Sequence, residues 1–209
     1  MPMQLLHRDS SILGEHSVSR QLSAAVVERF LAGAPDAIVT YRDLAADPIP
    51  HLSGPTQLAN VGPAVRQDAA MQTDLALGAA VLDEFLAADV IVIGVGFYNF
   101  GIPSQLKAWI DRIAVAGKTF RYTEHGPEGL ATDKRVVLAM ARGGYYGPDS
   151  PHARLEHAES YLRAVFAFTG VRRMEVVAAE GVKVSDDQRI KAITQARHSI
   201  AQLRPEEVA

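Results

Sequence analysis

The stretch ADVIVIGVGFYNF, residues 88–100, carries an apolar run from Val90 to Tyr98 that is broken by no charge and contains two glycines. A run of that length is about half of the ~18 residues that a membrane span requires, and it suits a strand. A strand that is apolar at consecutive positions, not only at alternate ones, must be covered on both faces. That is the situation of a central strand in a parallel sheet sandwiched by helices, so the run selects the α/β class.

The rest of the chain supports this reading, because short β-branched runs alternate with longer stretches of helical periodicity. Met3 to Arg8 reads as a first strand, followed by a polar loop to Ser17 and a helix with Leu22, Val26 and Phe30 on one face, ended by Gly33 and Pro35. Ala37 to Leu44 reads as a half-buried strand, and DPIPHLSGP as a loop. From Asp68 to Leu86 the residues Leu75, Ala79, Leu82 and Leu86 step at helical spacing and predict an amphipathic helix. After the central strand, Pro103 suits a helix start, and Leu106, Trp109, Ile110 and Ile113 follow as a stripe, with Trp109 in the core or at an interface. Lys118 to Thr123 reads as an extended arm before the turn HGPEG. Arg135 to Ala141 and Met174 to Ala179 complete the strands, and His152 to Phe168 and Asp186 to Leu203 the helices. The expectation is five strands and about five helices in one domain spanning residues 1–209, with no internal repeat.

Composition removes several functions. With 21 basic and 24 acidic residues the net charge is -3, which lacks the basic footprint of a nucleic-acid binder. No cysteine is present, so disulfides, thiolate metal sites, iron–sulfur clusters and a cysteine nucleophile are excluded, and redox chemistry requires a bound cofactor. Asp9 and Glu15 interrupt the N-terminus before a leader-length hydrophobic region develops, and no stretch is long enough to span a membrane, so a cytoplasmic location without a membrane partner is expected. His152 and His157 are five apart, not at the i, i+4 spacing of helical metal ligands, and no metal is expected.

In an open parallel sheet, ligands bind outside the carboxyl ends of the strands. Three segments there carry suitable residues. DSSILGEHSVSR, after the first strand, offers the hydroxyls of Ser10, Ser17 and Ser19 and a helix start to a phosphate, although Ser17 alone also reads as an ordinary N-cap. Its single glycine matches neither a P-loop nor G-x-G-x-x-G. GFYNFGIP sets Phe97, Tyr98, Asn99 and Phe100 at the mouth of the sheet, where aromatic surfaces can sandwich a flat heteroaromatic ring or simply cover the core. ARGGYYG, after the fourth strand, has glycines that let backbone approach a ligand closely, or form a plain turn.

Taken together, SSILGEHSVSRQLS, VIVIGVGFYNFGIPSQLKAWIDRIAVAGKTFRYTEHGPEGL and ARGGYYG resemble the FMN-dependent NADH-azoreductases, flavodoxin-like relatives of the quinone reductases, over nearly the whole length. The resemblance implies a flavodoxin-like three-layer sandwich, with a five-stranded parallel sheet in the order 2-1-3-4-5 and helices on both faces. It implies that Ser10, Ser17, Val18 and Ser19 hold the FMN phosphate, that Phe97 to Phe100 line the isoalloxazine, and that Arg142, Gly143, Gly144 and Tyr145 follow its pyrimidine edge. Tyr122 and Phe168 match positions that cover the open face, where nicotinamide and acceptor alternate. Ala141 stands where the family often has Ser, and Tyr145 and Tyr146 are bulky for their loop.

The implied activity is two-electron, ping-pong transfer from NADH to azo compounds or quinones by a homodimer, with the flavin carrying the chemistry and no catalytic side chain. The absence of a clear basic cluster for a 2′-phosphate favours NADH, NADPH being the alternative. A quinone reductase would share the mechanism. A non-catalytic flavodoxin-like electron carrier is the rival from another class, and the mild charge argues against it, since such carriers dock by strong acidity. A flavin-free binding protein is the third reading.

Overall fold

A computed structural model of the chain describes residues 1–61 and 68–205. Strands β1 (Gln4–Asp9), β2 (Ile38–Asp43), β3 (Val90–Gly96), β6 (Arg135–Arg142) and β7 (Arg173–Glu180) form a parallel sheet ordered β2-β1-β3-β6-β7. Between β3 and β6 the chain inserts a separate antiparallel hairpin of β4 (Phe120–Thr123) and β5 (Gly126–Gly129). Counted among the sheet strands alone, the order is 2-1-3-4-5.

Every residue of β3 is buried, and the two parities of the strand feed two cores. Ile91, Ile93 and Val95 join Leu6, Val136, Leu138 and Met140 beneath α3 (Ala69–Ala87), α4 (Ser104–Ile113) and α5 (Ala158–Phe168). Val90 and Val92 join Leu5, Val137 and Ala139 beneath α1 (Val18–Gly33) and α6 (Asp186–Ala201). This is the double coverage that an uninterrupted apolar strand demands. The stripes of α1 and α4 are buried as expected, and Trp109 lies wholly in the core between Phe85 and Phe166, at ring separations of 6.1 and 6.5 Å.

Four local expectations are corrected. The DPIPHLSGP segment is a loop only as far as Ser53, whose hydroxyl accepts the Thr56 N–H at 3.2 Å as α2 (Gly54–Val61) begins, with Pro55 in its first turn. In α3 the inward residues are Leu77, Val81, Leu82 and Phe85, whereas Ala79 and Leu86 face outward. A second apolar row, Leu75, Gly78 and Ala79, meets the inward one at Leu82 and lies along a groove shared with Arg112, Val115 and Lys118. The predicted fourth helix starts at Ala158, not His152, because the Glu156 carboxylate takes the N–H groups of Glu159 and Ser160 at 2.9 and 3.2 Å, and the His157 N–H goes to the Phe100 carbonyl at 3.0 Å. HGPEG turns at Glu124–His125 and then returns as β5. The base of that hairpin packs so closely on the end of α5 that a side chain at Gly129 would collide with the Gly170 backbone, itself at φ 98°.

Candidate active site

The carboxyl ends of β1, β3, β6 and β7 enclose a cavity of about 290 Å³. Its first wall is the β1–α1 connection. Ser17 caps α1, accepting the Arg20 N–H at 3.3 Å, and its hydroxyl lies 3.0 Å from that of Ser19. The N–H groups at Val18 and Ser19 belong to the first helical turn and have no acceptor within the helix, so the positive end of α1 faces the cavity beside two hydroxyls. Of the predicted phosphate residues, Ser17, Val18 and Ser19 are on this wall. Ser10 is not: it is fully buried, and its hydroxyl donates to the Gly94 carbonyl at 2.7 Å. The neighbouring Ser11 takes its place, with its hydroxyl 2.8 Å from the Tyr98 hydroxyl.

The second wall is a two-residue turn that closes β3. The N–H and carbonyl of Tyr98 pair with those of Gly101 at 3.1 and 3.0 Å, and the two central residues have positive φ, 48° at Asn99 and 71° at Phe100. Both central residues of a type I′ turn require that sign, which glycine and asparagine adopt far more readily than phenylalanine. Phe100 in this conformation costs ~1–2 kcal/mol. Local backbone strain of this kind gathers at functional sites, and here it presents the half-exposed Phe100 ring to the cavity. Beneath the turn, Gly96 leaves room for the Tyr98 ring, whose atoms lie 2.9 Å from where a Cβ would stand.

The third wall is formed by Ala141, Gly143, Gly144 and Tyr146 with Val182 and Lys183 of the β7–α6 connection. The carbonyls of Gly143 and Gly144 accept the N–H groups of Lys183 and Gly181 at 3.0 and 2.9 Å, which fixes the glycine loop from behind. Tyr146 packs on Phe97 at 4.7 Å and continues the aromatic surface.

Two predicted members of this wall face elsewhere. Arg142 continues the parity of Leu138 and Met140 and is buried away from the cavity, where it binds Glu180 and Glu159 at 2.7 Å each and Glu156 at 3.3 Å. Burial opposes its charge, but the hydrogen bonds it donates to Glu180 and Glu159 outweigh that, and its pKa is raised. Tyr145 leans its ring against Gly181, outside the cavity. Tyr122 and Phe168 also lie outside, in an exposed cluster around Phe120 at 5.6 and 4.6 Å.

Among the described residues no carboxylate lines the cavity, whereas His16, Lys183 and Arg189 do. A cavity with hydroxyls and a helix start at one end, aromatic rings at the other and cationic groups on its rim fits an anionic group joined to a flat ring. Sequence reasoning missed Ser11, Leu13, His16, Gly96, Ala141, Tyr146, Val182, Lys183 and Arg189 as lining residues. The EGVKVSD segment could have been found, since it also leaves the carboxyl end of a strand. Among the described residues no three histidine or carboxylate side chains converge on a metal position, and no helix is long and apolar enough to cross a membrane.

Residues 3–203 match the family described as having a flavodoxin-like fold. The chain belongs to this flavodoxin-like family. It is 55% identical over 202 residues to the FMN-dependent NADH:quinone oxidoreductase 2 of Bradyrhizobium diazoefficiens, covering 97% of this chain and 99% of that protein. Among solved structures, an azoreductase from Bacillus anthracis superposes with a TM-score of 0.85 at 31% identity, covering 96% and 97% of the two chains. An FMN-dependent NADH-azoreductase from the same species, solved in complex with FMN, superposes with a TM-score of 0.82 at 25% identity, covering 97% and 99%. The kinship inferred from the sequence motifs is borne out, and this flavodoxin-like chain is similar to both quinone- and azo-reducing proteins.

Proposed function

We propose that the whole chain is a single FMN-binding domain that uses NADH to reduce quinones and azo compounds. The observation that carries the reading is the joining of an α1 anion site to a strained aromatic turn across one cavity that no carboxylate lines among the described residues. The 55% identity to a named FMN-dependent NADH:quinone oxidoreductase over nearly the full length supports it.

FMN, when bound, supplies the chemistry: it accepts a hydride from NADH and passes two electrons to the acceptor. The protein's part is to hold and orient. Ser11, Ser17 and Ser19 and the first N–H groups of α1 receive the phosphate, and Phe97, Tyr98, Asn99 and Phe100 flank the ring. The glycine loop at 143–144, fixed through its carbonyls, offers backbone against the ring edge, and Lys183 beside Gly143 adds positive charge there. No side chain need act as acid or base. A quinone takes up two electrons and two protons to become a hydroquinone, so one NADH suffices. An azo bond needs four electrons to yield two amines, so two NADH are consumed.

The expected homodimer is supported by two surfaces: the half-buried apolar groove along α3, and the aromatic cluster of Tyr122 and Phe168, which is exposed and outside this chain's own cavity. In a dimer such a cluster serves the partner's open face. Cytoplasmic location accompanies this reading. The decisive experiment is an anaerobic absorbance titration of the protein supplied with FMN. Bleaching by NADH and recovery on adding a quinone and then an azo dye is the expected result; bound flavin that NADH cannot reduce would identify an electron carrier instead.

A further inference from the structure

One strong interaction lies just outside the cavity. Arg20, in the first turn of α1, makes a bidentate ion pair with Asp43 at the end of β2, both contacts 2.6 Å. The same guanidinium donates from Nε and a terminal nitrogen to the Ser11 carbonyl, at 3.2 and 2.8 Å. Four hydrogen bonds thus commit one planar cation to a single geometry, a task for which lysine's point charge is unsuited. Asp43 is equally committed, since its Oδ1 also accepts the N–H groups of Ala45 and Ala46 at 2.9 and 3.1 Å. Its hydrogen bond to Arg20 holds the Asp43 carboxyl below the usual carboxylate range. Neither partner lines the cavity.

The consequence falls on Ser11, the residue that joins two walls. Its carbonyl is engaged by Arg20, which is not a lining residue, while its hydroxyl reaches the Tyr98 hydroxyl at 2.8 Å. A carbonyl oxygen turned into an anion site would repel the anion, and a Ser11 released from Arg20 can turn that way. We propose that Arg20, clamped by Asp43, is a positioning residue that sets the β1–α1 loop to accept a phosphorylated flavin in preference to the unphosphorylated one. This rests on the FMN reading of the cavity.

The test compares FMN with riboflavin, which has the same ring and no phosphate. Dissociation constants for both are measured by quenching of flavin fluorescence for the unaltered protein, Arg20→Met, Arg20→Lys and Asp43→Asn, with circular dichroism confirming that each is folded. The unaltered protein is expected to favour FMN. Arg20→Met and Asp43→Asn should each reduce the FMN-to-riboflavin preference by about tenfold, with Arg20→Lys restoring little of it. Asp43→Asn separates geometry from charge, because removing a nearby negative charge would by itself strengthen binding of an anion. If Asp43→Asn maintains or raises the preference while Arg20→Met lowers it, Arg20 acts by charge alone and the clamp is overturned. An unchanged preference in both variants overturns it too. If the unaltered protein binds neither flavin, the reading of the cavity itself fails; if it binds the two equally, the phosphate assignment fails and takes this inference with it.

Discussion

Replacing Gly96 by Ala tests the aromatic wall through a single methyl group. A Cβ at this position would stand 2.9 Å from three atoms of the Tyr98 ring, including its hydroxyl oxygen, closer than real side chains pack. The ring cannot yield freely, because its hydroxyl is tied to Ser11 at 2.8 Å and its backbone pairs with Gly101 on both sides. Two losses follow. Driving the ring off its rotamer costs ~0.5–1.5 kcal/mol, and losing the Ser11 hydrogen bond costs another ~0.5–1.5 kcal/mol. Together they amount to ~1–3 kcal/mol, or about 5- to 150-fold in affinity if the distortion is borne by the FMN-binding form. The assay is FMN fluorescence quenching, run as a double-mutant cycle with Tyr98→Ala. In the absence of the ring there is nothing for the new methyl to displace, so Gly96→Ala should then cost little. If it weakens FMN binding equally in both backgrounds, the methyl acts on the ligand or on β3 and not through Tyr98, and the reasoning fails.

Phe100→Gly removes the strain of a phenylalanine at φ 71°, so the protein should gain ~1–2 kcal/mol in the turn while its FMN affinity falls; a lower melting temperature would show that the ring's contacts outweigh the strain. Arg142→Met leaves Glu156, Glu159 and Glu180 facing one another without their shared cation and should cost ~3–5 kcal/mol at neutral pH, read from denaturant unfolding. Glu159 titrates low in the native protein, although burial alone would raise it, because Arg142 and Arg163 hydrogen-bond to it. Its contribution is therefore full above the ordinary carboxylate pKa and is lost as pH falls through the lowered one, whereas the variant should become relatively more stable on acidification. Tyr122→Ala and Phe168→Ala should alter acceptor kinetics and leave FMN bound, since neither lines this chain's cavity; lost flavin would contradict that placement.

What could be read from the amino acids was whatever packing enforces over many residues. The β3 run, the α1 stripe and the α4 stripe each present repeated apolar positions whose burial has only one solution, and all three are buried as expected. The α3 stripe failed for a physical reason: Leu75, Ala79, Leu82 and Leu86 and the true inward set Leu77, Val81, Leu82 and Phe85 are two helical rows of similar composition. Periodicity cannot choose between rows when both are apolar, and an apolar row left outside is what a subunit contact would use.

The site residues that the structure places off the cavity share a different cause. At the end of a strand one residue's difference reverses the direction of a side chain, so motif membership does not say which of two neighbours faces the cavity. Ser10 and Ser11 at the end of β1 and Ala141 and Arg142 at the end of β6 are such pairs, and in each, as in Tyr145 and Tyr146 of the loop beyond, the structure puts one member on the cavity and the other behind it. For Arg142 the parity was available: Leu138 and Met140 pack under α5, and two residues further on the same face meets Glu159 of that helix. The three carboxylates that bind it could not be found in the same way, because Glu156, Glu159 and Glu180 come from α5, the turn before it and β7, and only the folded sheet brings them together. The same holds for Arg20 and Asp43, which are 23 residues apart and meet because β2 pairs beside β1. Residues that line the cavity can thus be found from loops at strand ends, whereas those that orient the loops depend on sheet order and are hidden until it is known.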